Sequence, residues 1–139
     1  MALPVSALRL TIAVVLLSAL PVQAHHSVQG EFDLDDRITL TGTVSEVVWV
    51  NPHAYVHLDV KNDDGTVTTW ALETGPIARM RRGGLTKQAL AGKPGEQVTA
   101  VGMPALREGN NSIWLIKIAY EDGKYYILYP SPVELPAKN

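Results

Sequence analysis

The chain has 139 residues, of which 46% are hydrophobic and 19% are charged, and its formal net charge is −2. This length suits a single domain. The small negative charge excludes a strong electrostatic attraction to nucleic acid or to an anionic membrane surface. The sequence contains no cysteine, which excludes disulfide bonds, thiol catalysis, cysteine-based metal sites and lipid anchoring through a cysteine.

Residues 1–24 have the features of a secretory signal peptide. Arg9 is the only charged side chain among them, residues 10–20 form an apolar run, and Val22 and Ala24 suit a cleavage site after Ala24. The alternative is an uncleaved membrane anchor, but the apolar run is shorter than the roughly 20 residues that a membrane span needs. We therefore predict a periplasmic or secreted protein, with no stable membrane insertion after cleavage.

Cleavage after Ala24 would make His25 the first residue of the mature chain and His26 the second. An α-amine with a pKa of about 8 and an imidazole with a pKa of about 6.5 are both nitrogen donors when neutral. His25 can chelate through its amine and Nδ1, and His26 through the amine, the intervening amide nitrogen and its ring. Both arrangements favour Cu²⁺. The alternative interpretation is a solvated chain terminus without a ligand.

The mature chain divides into three predicted parts. Residues 25–37 are polar and predict an irregular lead-in segment, which Phe32 and Leu34 are expected to hold against the folded domain. Residues 38–129 carry the strand patterns of a β-barrel domain. Residues 130–139 contain three prolines and predict an extended, flexible tail.

The first strand is predicted at residues 38–50, and its apolar alternation shifts near Ser45–Glu46, which predicts a β-bulge. The Asn51–Pro52–His53 sequence then predicts a turn, because proline cannot continue the hydrogen-bond ladder. In the second strand, alternation predicts inward Ala54, Val56, Leu58 and Val60 and outward Tyr55, His57 and Asp59.

The remaining strands are predicted at residues 66–73, 97–103, 112–120 and 125–129, with a short helical region at residues 77–90. In the strand at residues 112–120, Trp114, Ile116 and Ile118 are expected on one face, with Trp114 in the core. A helix between the third and fourth of five strands is the order of the OB-fold. We therefore predict an all-β protein with one short helix, a small OB-fold-like and partly open barrel. An SH3-like barrel and a sandwich are the alternatives.

Three stretches of the sequence resemble the DUF6152 proteins, a bacterial family of unknown function. They are Ala24–Ser27 followed by Glu31–Asp33, Thr39–Val44 leading to Trp49 and Asn51–His53, and Arg82 with Leu85–Lys87 and Pro94–Glu96. Together these stretches extend over most of the mature chain. The resemblance implies an exported small β-barrel protein and implies no particular activity.

All four histidines lie in two short motifs, one at the predicted mature terminus and one at the Asn51–His53 turn. We therefore predict His25, His26, His53 and His57 as candidate copper ligands, with Asn51 orienting the ring of His53. This hypothesis requires the N-terminus to lie near the turn. The alternative for His53 is a structural role, in which its ring caps turn carbonyls or stacks on Trp49.

A second hypothesis is a periplasmic binding module without metal, since OB-type barrels present one face and two loops to sugars, peptides or protein partners. Tyr55, Trp49 and Trp114 are the candidate stacking residues. The sequence contains no G-x-S-x-G, H-E-x-x-H or phosphate-loop motif. It therefore assigns no catalytic residue, and we expect no enzymatic activity unless a copper site is open to a redox substrate.

Overall fold

The computed structural model of the protein describes residues 27–129. The predicted signal peptide, His25, His26 and the predicted tail lie outside the described residues. The elements are α1 (Val28–Glu31), β1 (Ile38–Trp49), β2 (His53–Lys61), β3 (Val67–Pro76), α2 (Ile77–Arg82), α3 (Lys87–Ala91), β4 (Gln97–Pro104), β5 (Ser112–Tyr120) and β6 (Tyr125–Ile127). Within this part of the chain, no helix is long and apolar enough to cross a bilayer.

The first five strands form a closed barrel. β1 pairs antiparallel with β2 and β4, β2 pairs with β3, and β4 pairs with β5. A short parallel pairing of Ala71–Glu73 on β3 with Ser112–Trp114 on β5 closes the barrel, and β6 extends the sheet from β5. With α2 and α3 between β3 and β4, this is the strand order of the OB-fold, and the predicted fold class is confirmed.

β1 pairs with both β2 and β4 because it is long and bent. Its first half pairs with β4 and its second half with β2, and its register against β2 shifts between Val44 and Glu46. The bulge predicted near Ser45–Glu46 is therefore confirmed. At the bend, a Cβ added to Gly42 would lie 2.3 Å from the carbonyl oxygen of Asp59. Only glycine lets β2 approach β1 this closely.

The main core fills the barrel and is closed at one end by the two short helices. Ala54, Val56 and Leu58 of β2 are fully buried, as their alternation predicts. In the helical region, the hydroxyl of Thr86 accepts a hydrogen bond from the backbone N–H of Ala89 at 3.1 Å, which caps α3. The predicted helical region is therefore two helices, and both pack into the main core.

The predicted single face of Trp114, Ile116 and Ile118 is wrong, because the side-chain alternation of β5 changes phase. Ile113 and Leu115, and then Ile118, point into the main core. Trp114 lies outside the barrel in a second buried cluster with Phe32 and Met103, and Ile116 packs against it. This second cluster, called the Trp114 cluster below, exists because the lead-in segment covers the outer surface of β5.

The lead-in segment is more ordered than its polar composition predicts. Val28–Glu31 forms one helical turn, and Phe32 makes an isolated antiparallel bridge to Ala105. Phe32 is 4% exposed and Leu34 packs against the Trp114 cluster, so both hold the segment against the barrel. α1 is thereby placed beside the outer faces of β2, β3 and β5.

Candidate functional site

The outer face of the β2–β3 hairpin carries a histidine bonded to a carboxylate. Tyr55 lies directly opposite Glu73 in the antiparallel pairing, and His53 lies two residues before Tyr55. Nδ1 of His53 is 2.6 Å from Oε1 of Glu73. The two side chains are 19% and 13% exposed, so the bond is shielded from most of the solvent.

Tyr55 lies beside this pair, directly opposite Glu73 on the neighbouring strand. The pKa of Tyr55 is raised, first by burial, then by its interaction with the carboxylate of Glu73 and by the charge of Glu31. The raised pKa means that the phenol keeps its proton beside the carboxylate. Glu73 therefore faces Tyr55 across the strand pair while it holds the ring of His53.

The carboxylate sets which nitrogen of His53 is available. An ionised carboxylate only accepts hydrogen bonds, so Nδ1 of His53 carries the proton that faces Glu73. In the neutral ring, Nε2 then has a free lone pair. Histidines that bind metals have this arrangement, in which the other ring N–H donates to a carboxylate that fixes the orientation and raises the basicity of the ligand. The same arrangement suits a general base.

Trp114 connects His53 to the lead-in segment. The His53 ring meets the indole edge-on, with centroids 5.4 Å apart and an interplanar angle of 82°. Phe32 packs against the same indole with centroids 5.8 Å apart, and Val28 packs against the Trp114 cluster. Nε1 of Trp114 is buried and has no hydrogen-bond partner among residues 27–129.

A groove of about 680 Å³ lies beside Tyr55 and Glu73. Its walls are α1, the outer faces of β2 and β3, and the loop that connects β4 to β5. The lining residues are Gly30, Glu31, Phe32, Tyr55, Ala71, Glu73, Leu106, Arg107, Asn110 and Ser112. We call this feature the α1 groove.

The structure brings together only some of the predicted site residues. His57 shares the outer face of β2 with His53 and Tyr55, but four residues of strand separate it from His53 by about 13 Å. Trp49 packs against the main core and does not line the α1 groove. Within residues 27–129, no group of three or more His, Asp or Glu side chains could hold a metal ion.

The residue that orients His53 is Glu73, which sequence reasoning missed. Asn51, predicted for this role, is exposed, and His53 is held by a carboxylate on the neighbouring strand instead. The sequence nevertheless contained a pattern that could have identified Glu73. Counting outward from the Asn62–Gly65 turn pairs Tyr55 with Glu73, which places the carboxylate on the outer face beside the histidine.

These features define a small OB-fold barrel that carries a carboxylate-oriented histidine on its outer surface. The chain belongs to DUF6152, a family of unknown function, whose family model matches residues 13–113. Comparisons with curated proteins and with solved structures return no match. Family membership confirms the resemblance in the sequence and assigns no activity, so a function has to be argued from the site.

Proposed function

We propose that this protein is exported and binds one Cu²⁺ ion through the mature terminus at His25 and through Nε2 of His53. The observation that carries the proposal is the 2.6 Å contact between Nδ1 of His53 and Oε1 of Glu73. The carboxylate of Glu73 and the indole of Trp114 already hold the ring of His53 in one orientation. Binding a metal ion to this ring therefore loses little side-chain conformational entropy.

The remaining ligands have to come from the mature terminus. His53 has no second histidine beside it among residues 27–129, and that part of the chain offers no preformed cluster of ligands. His25 precedes Val28 by three residues, a length that spans at most about 10 Å when extended. Val28 packs against the Trp114 cluster, and His53 contacts Trp114. In this proposal, the amine and ring of His25 bind the same ion as Nε2 of His53.

This donor set suits copper rather than a hard cation. An amine and two imidazoles are nitrogen ligands, and Cu²⁺ binds nitrogen in tetragonal geometry more tightly than the other divalent first-row metals. His26 supplies an alternative chelate through its amide and ring. His57 is too far along β2 to bind the same ion as His53.

The test uses mature protein that begins at His25, with the cleavage verified by mass. Cu²⁺ is titrated beside Zn²⁺, and electron paramagnetic resonance counts the nitrogen ligands. We expect one tightly bound Cu²⁺ per chain, with loss of one nitrogen ligand in His53→Ala. Glu73→Gln should weaken copper binding by about 10- to 100-fold, because the carboxylate that orients the ring is lost.

Two further variants locate the site. One extra residue before His25 removes the terminal chelate and should weaken binding strongly. His57→Ala is the matched control, since His57 lies on the same face of the same strand, and it should bind copper like the unchanged protein. If His53→Ala keeps the original affinity and spectrum, the chelate belongs to the terminus alone. If the unchanged protein binds no copper tightly, the proposal is wrong.

A further inference from the structure

We infer that Asn110 is a site of N-linked glycosylation, a modification that rests on the export proposed above and not on copper binding. The sequence Asn110–Asn111–Ser112 matches Asn-x-Ser/Thr with a residue other than proline in the middle. This is the acceptor motif of oligosaccharyltransferases in exported proteins. The side-chain amide of the asparagine receives the sugar, and the transferase binds the hydroxyl group two residues later.

The motif is complete at Asn110 and absent at the other asparagines that residues follow. At Asn51, Asn62 and Asn111, the residue two positions later is His53, Asp64 and Ile113, respectively. Glu108 stands two positions before Asn110. Bacterial oligosaccharyltransferases select the acidic form of the motif, Asp/Glu-x-Asn-x-Ser/Thr, and Glu108 supplies the acidic residue of that form.

The acceptor lies in the loop between β4 and β5, where a transferase can reach it after the chain has folded. Residues 106–111 are all exposed. Gly109 has a φ of +74°, and the N–H of Asn110 donates to the carbonyl of Arg107 at 3.2 Å. The chain therefore turns sharply just before Asn110. Exposed loops of this kind carry the glycosylated asparagines of exported proteins.

The side-chain amide of Asn110 is free to react, since it makes no hydrogen bond to another residue of 27–129. The amide of Asn62, by contrast, donates to the hydroxyls of Thr66 and Thr68 at 2.8 and 2.9 Å. In the transfer, Nδ2 of Asn110 forms a bond to C1 of the first sugar of a polyprenyl-pyrophosphate-linked oligosaccharide. The bond from C1 to the pyrophosphate oxygen breaks, the pyrophosphate leaves with the electron pair, and the amide releases one proton.

Ser112, which supplies the hydroxyl group of the motif, begins β5 and also reaches the surface. It is half-buried, and it lines the α1 groove together with Asn110, so both groups of the motif open onto the same side of the loop. Its backbone N–H donates to the carbonyl of Asn110 at 2.8 Å, which closes a tight turn between the two residues. An oligosaccharide attached to Asn110 therefore starts at the rim of the α1 groove.

The test produces the full chain, including residues 1–24, in bacterial cells that carry an oligosaccharyltransferase and a lipid-linked oligosaccharide of known mass. A reference protein with an established acceptor site shows that transfer is active in the same cells. Trypsin cuts after Arg107 and Lys117, so the peptide of residues 108–117 contains the whole motif. We expect this peptide to gain the mass of one oligosaccharide, and to lack that gain in cells without the transferase.

Neighbouring residues provide matched variants. Asn110→Gln and Ser112→Ala should each abolish the mass gain, because the first removes the acceptor amide and the second removes the hydroxyl group. Asn111→Gln leaves the motif intact and Ser112→Thr keeps a hydroxyl group, so both should retain the modification. Glu108→Gln should lower the modified fraction, because the acidic residue of the motif is lost. Circular dichroism verifies that each variant folds.

Three results would overturn the inference. If the mature chain begins at His25 and its peptide of residues 108–117 stays unmodified beside a glycosylated reference protein, Asn110 is not an acceptor, while the proposed export stands. If Asn110→Gln keeps the mass gain, the sugar is attached to another residue. If the chain keeps residues 1–24 and stays in the cytoplasm, the proposed export is wrong, and so is the glycosylation that rests on it.

Discussion

The side chain of Thr74 bonds to both backbone polar groups of Ala54 on the neighbouring strand. Its hydroxyl oxygen accepts from the N–H of Ala54 at 3.1 Å and lies 3.0 Å from the Ala54 carbonyl oxygen. β2 and β3 shift register between His53 and Tyr55, so the regular ladder is interrupted at Ala54. Thr74 replaces the missing strand-to-strand bonds and fixes the backbone that carries His53.

Thr74→Val should destabilise the fold. Valine keeps the shape of threonine but leaves the N–H of Ala54 without a partner in a fully buried position. We expect the free energy of unfolding to fall by about 1–3 kcal/mol, measured by urea denaturation followed by circular dichroism. Thr39→Val is the control, because Thr39 is exposed, and it should change stability by less than about 0.5 kcal/mol. Equal stabilities of the two variants would contradict the role of Thr74.

The carboxylate of Glu73 should fix the tautomer of His53. When the ring of His53 is neutral, we expect its proton on Nδ1, because that nitrogen faces Glu73 at 2.6 Å. Ring ¹⁵N chemical shifts from long-range proton–nitrogen spectra measure the tautomer directly. His57 has no carboxylate bonded to its ring among the described residues and should show a mixture. A proton found on Nε2 of His53 would refute the assignment on which the copper proposal depends.

Much of the barrel could be predicted from the sequence, because the alternation of apolar residues along the chain agrees with the final fold. The alternation in β2 buries Ala54, Val56 and Leu58, and the apolar phase shift near Ser45–Glu46 coincides with the bulge in β1. In each case the pattern is read from adjacent residues. A half-buried strand needs only such local information to set its faces.

Trp114 shows why other features could not be read in this way. Its strand is apolar on both faces, so periodicity does not say which face enters the barrel. The outer face is covered by Phe32, which is 82 positions earlier in the sequence. The α1 groove has the same origin, since it is formed by α1 and the loop after β4, and no local pattern links these two segments.

Among the glycines of β1 and its neighbouring strands, replacement of Gly42 should destabilise the fold most. An added Cβ would lie 2.3 Å from the carbonyl oxygen of Asp59, a backbone atom that cannot rotate away. We expect Gly42→Ala to lower the free energy of unfolding by about 1–3 kcal/mol through strain between β1 and β2. Gly75→Ala is the matched control, since no atom lies within 4 Å of its added Cβ. Urea denaturation measures the stability of both variants. If Gly42→Ala leaves the free energy of unfolding unchanged, β1 and β2 can move apart without cost.

The stability of the fold should fall in alkaline solution, partly through Tyr120. Its hydroxyl donates to the carbonyl of Leu90 at 2.9 Å, and its pKa is raised, first by burial and then by the nearby Tyr126, Glu96 and Asp122. The folded protein therefore keeps this proton at a pH where the unfolded chain, with a pKa of about 10, loses it. The contribution of Tyr120 to stability is complete below about pH 10 and is lost as the pH rises towards the raised pKa.

Tyr120→Phe removes this titration and should make the alkaline fall in stability shallower. At neutral pH the same variant should cost about 0.5–1.5 kcal/mol, because the hydrogen bond to Leu90 is lost. Urea denaturation at about pH 8 and about pH 11 measures both effects, since those values lie on either side of the phenol pKa. Tyr125→Phe is the control, because Tyr125 is 37% exposed, and it should retain the full alkaline fall. If Tyr120→Phe and the unchanged protein lose stability equally between these pH values, the buried hydroxyl of Tyr120 does not govern the alkaline limit of the fold.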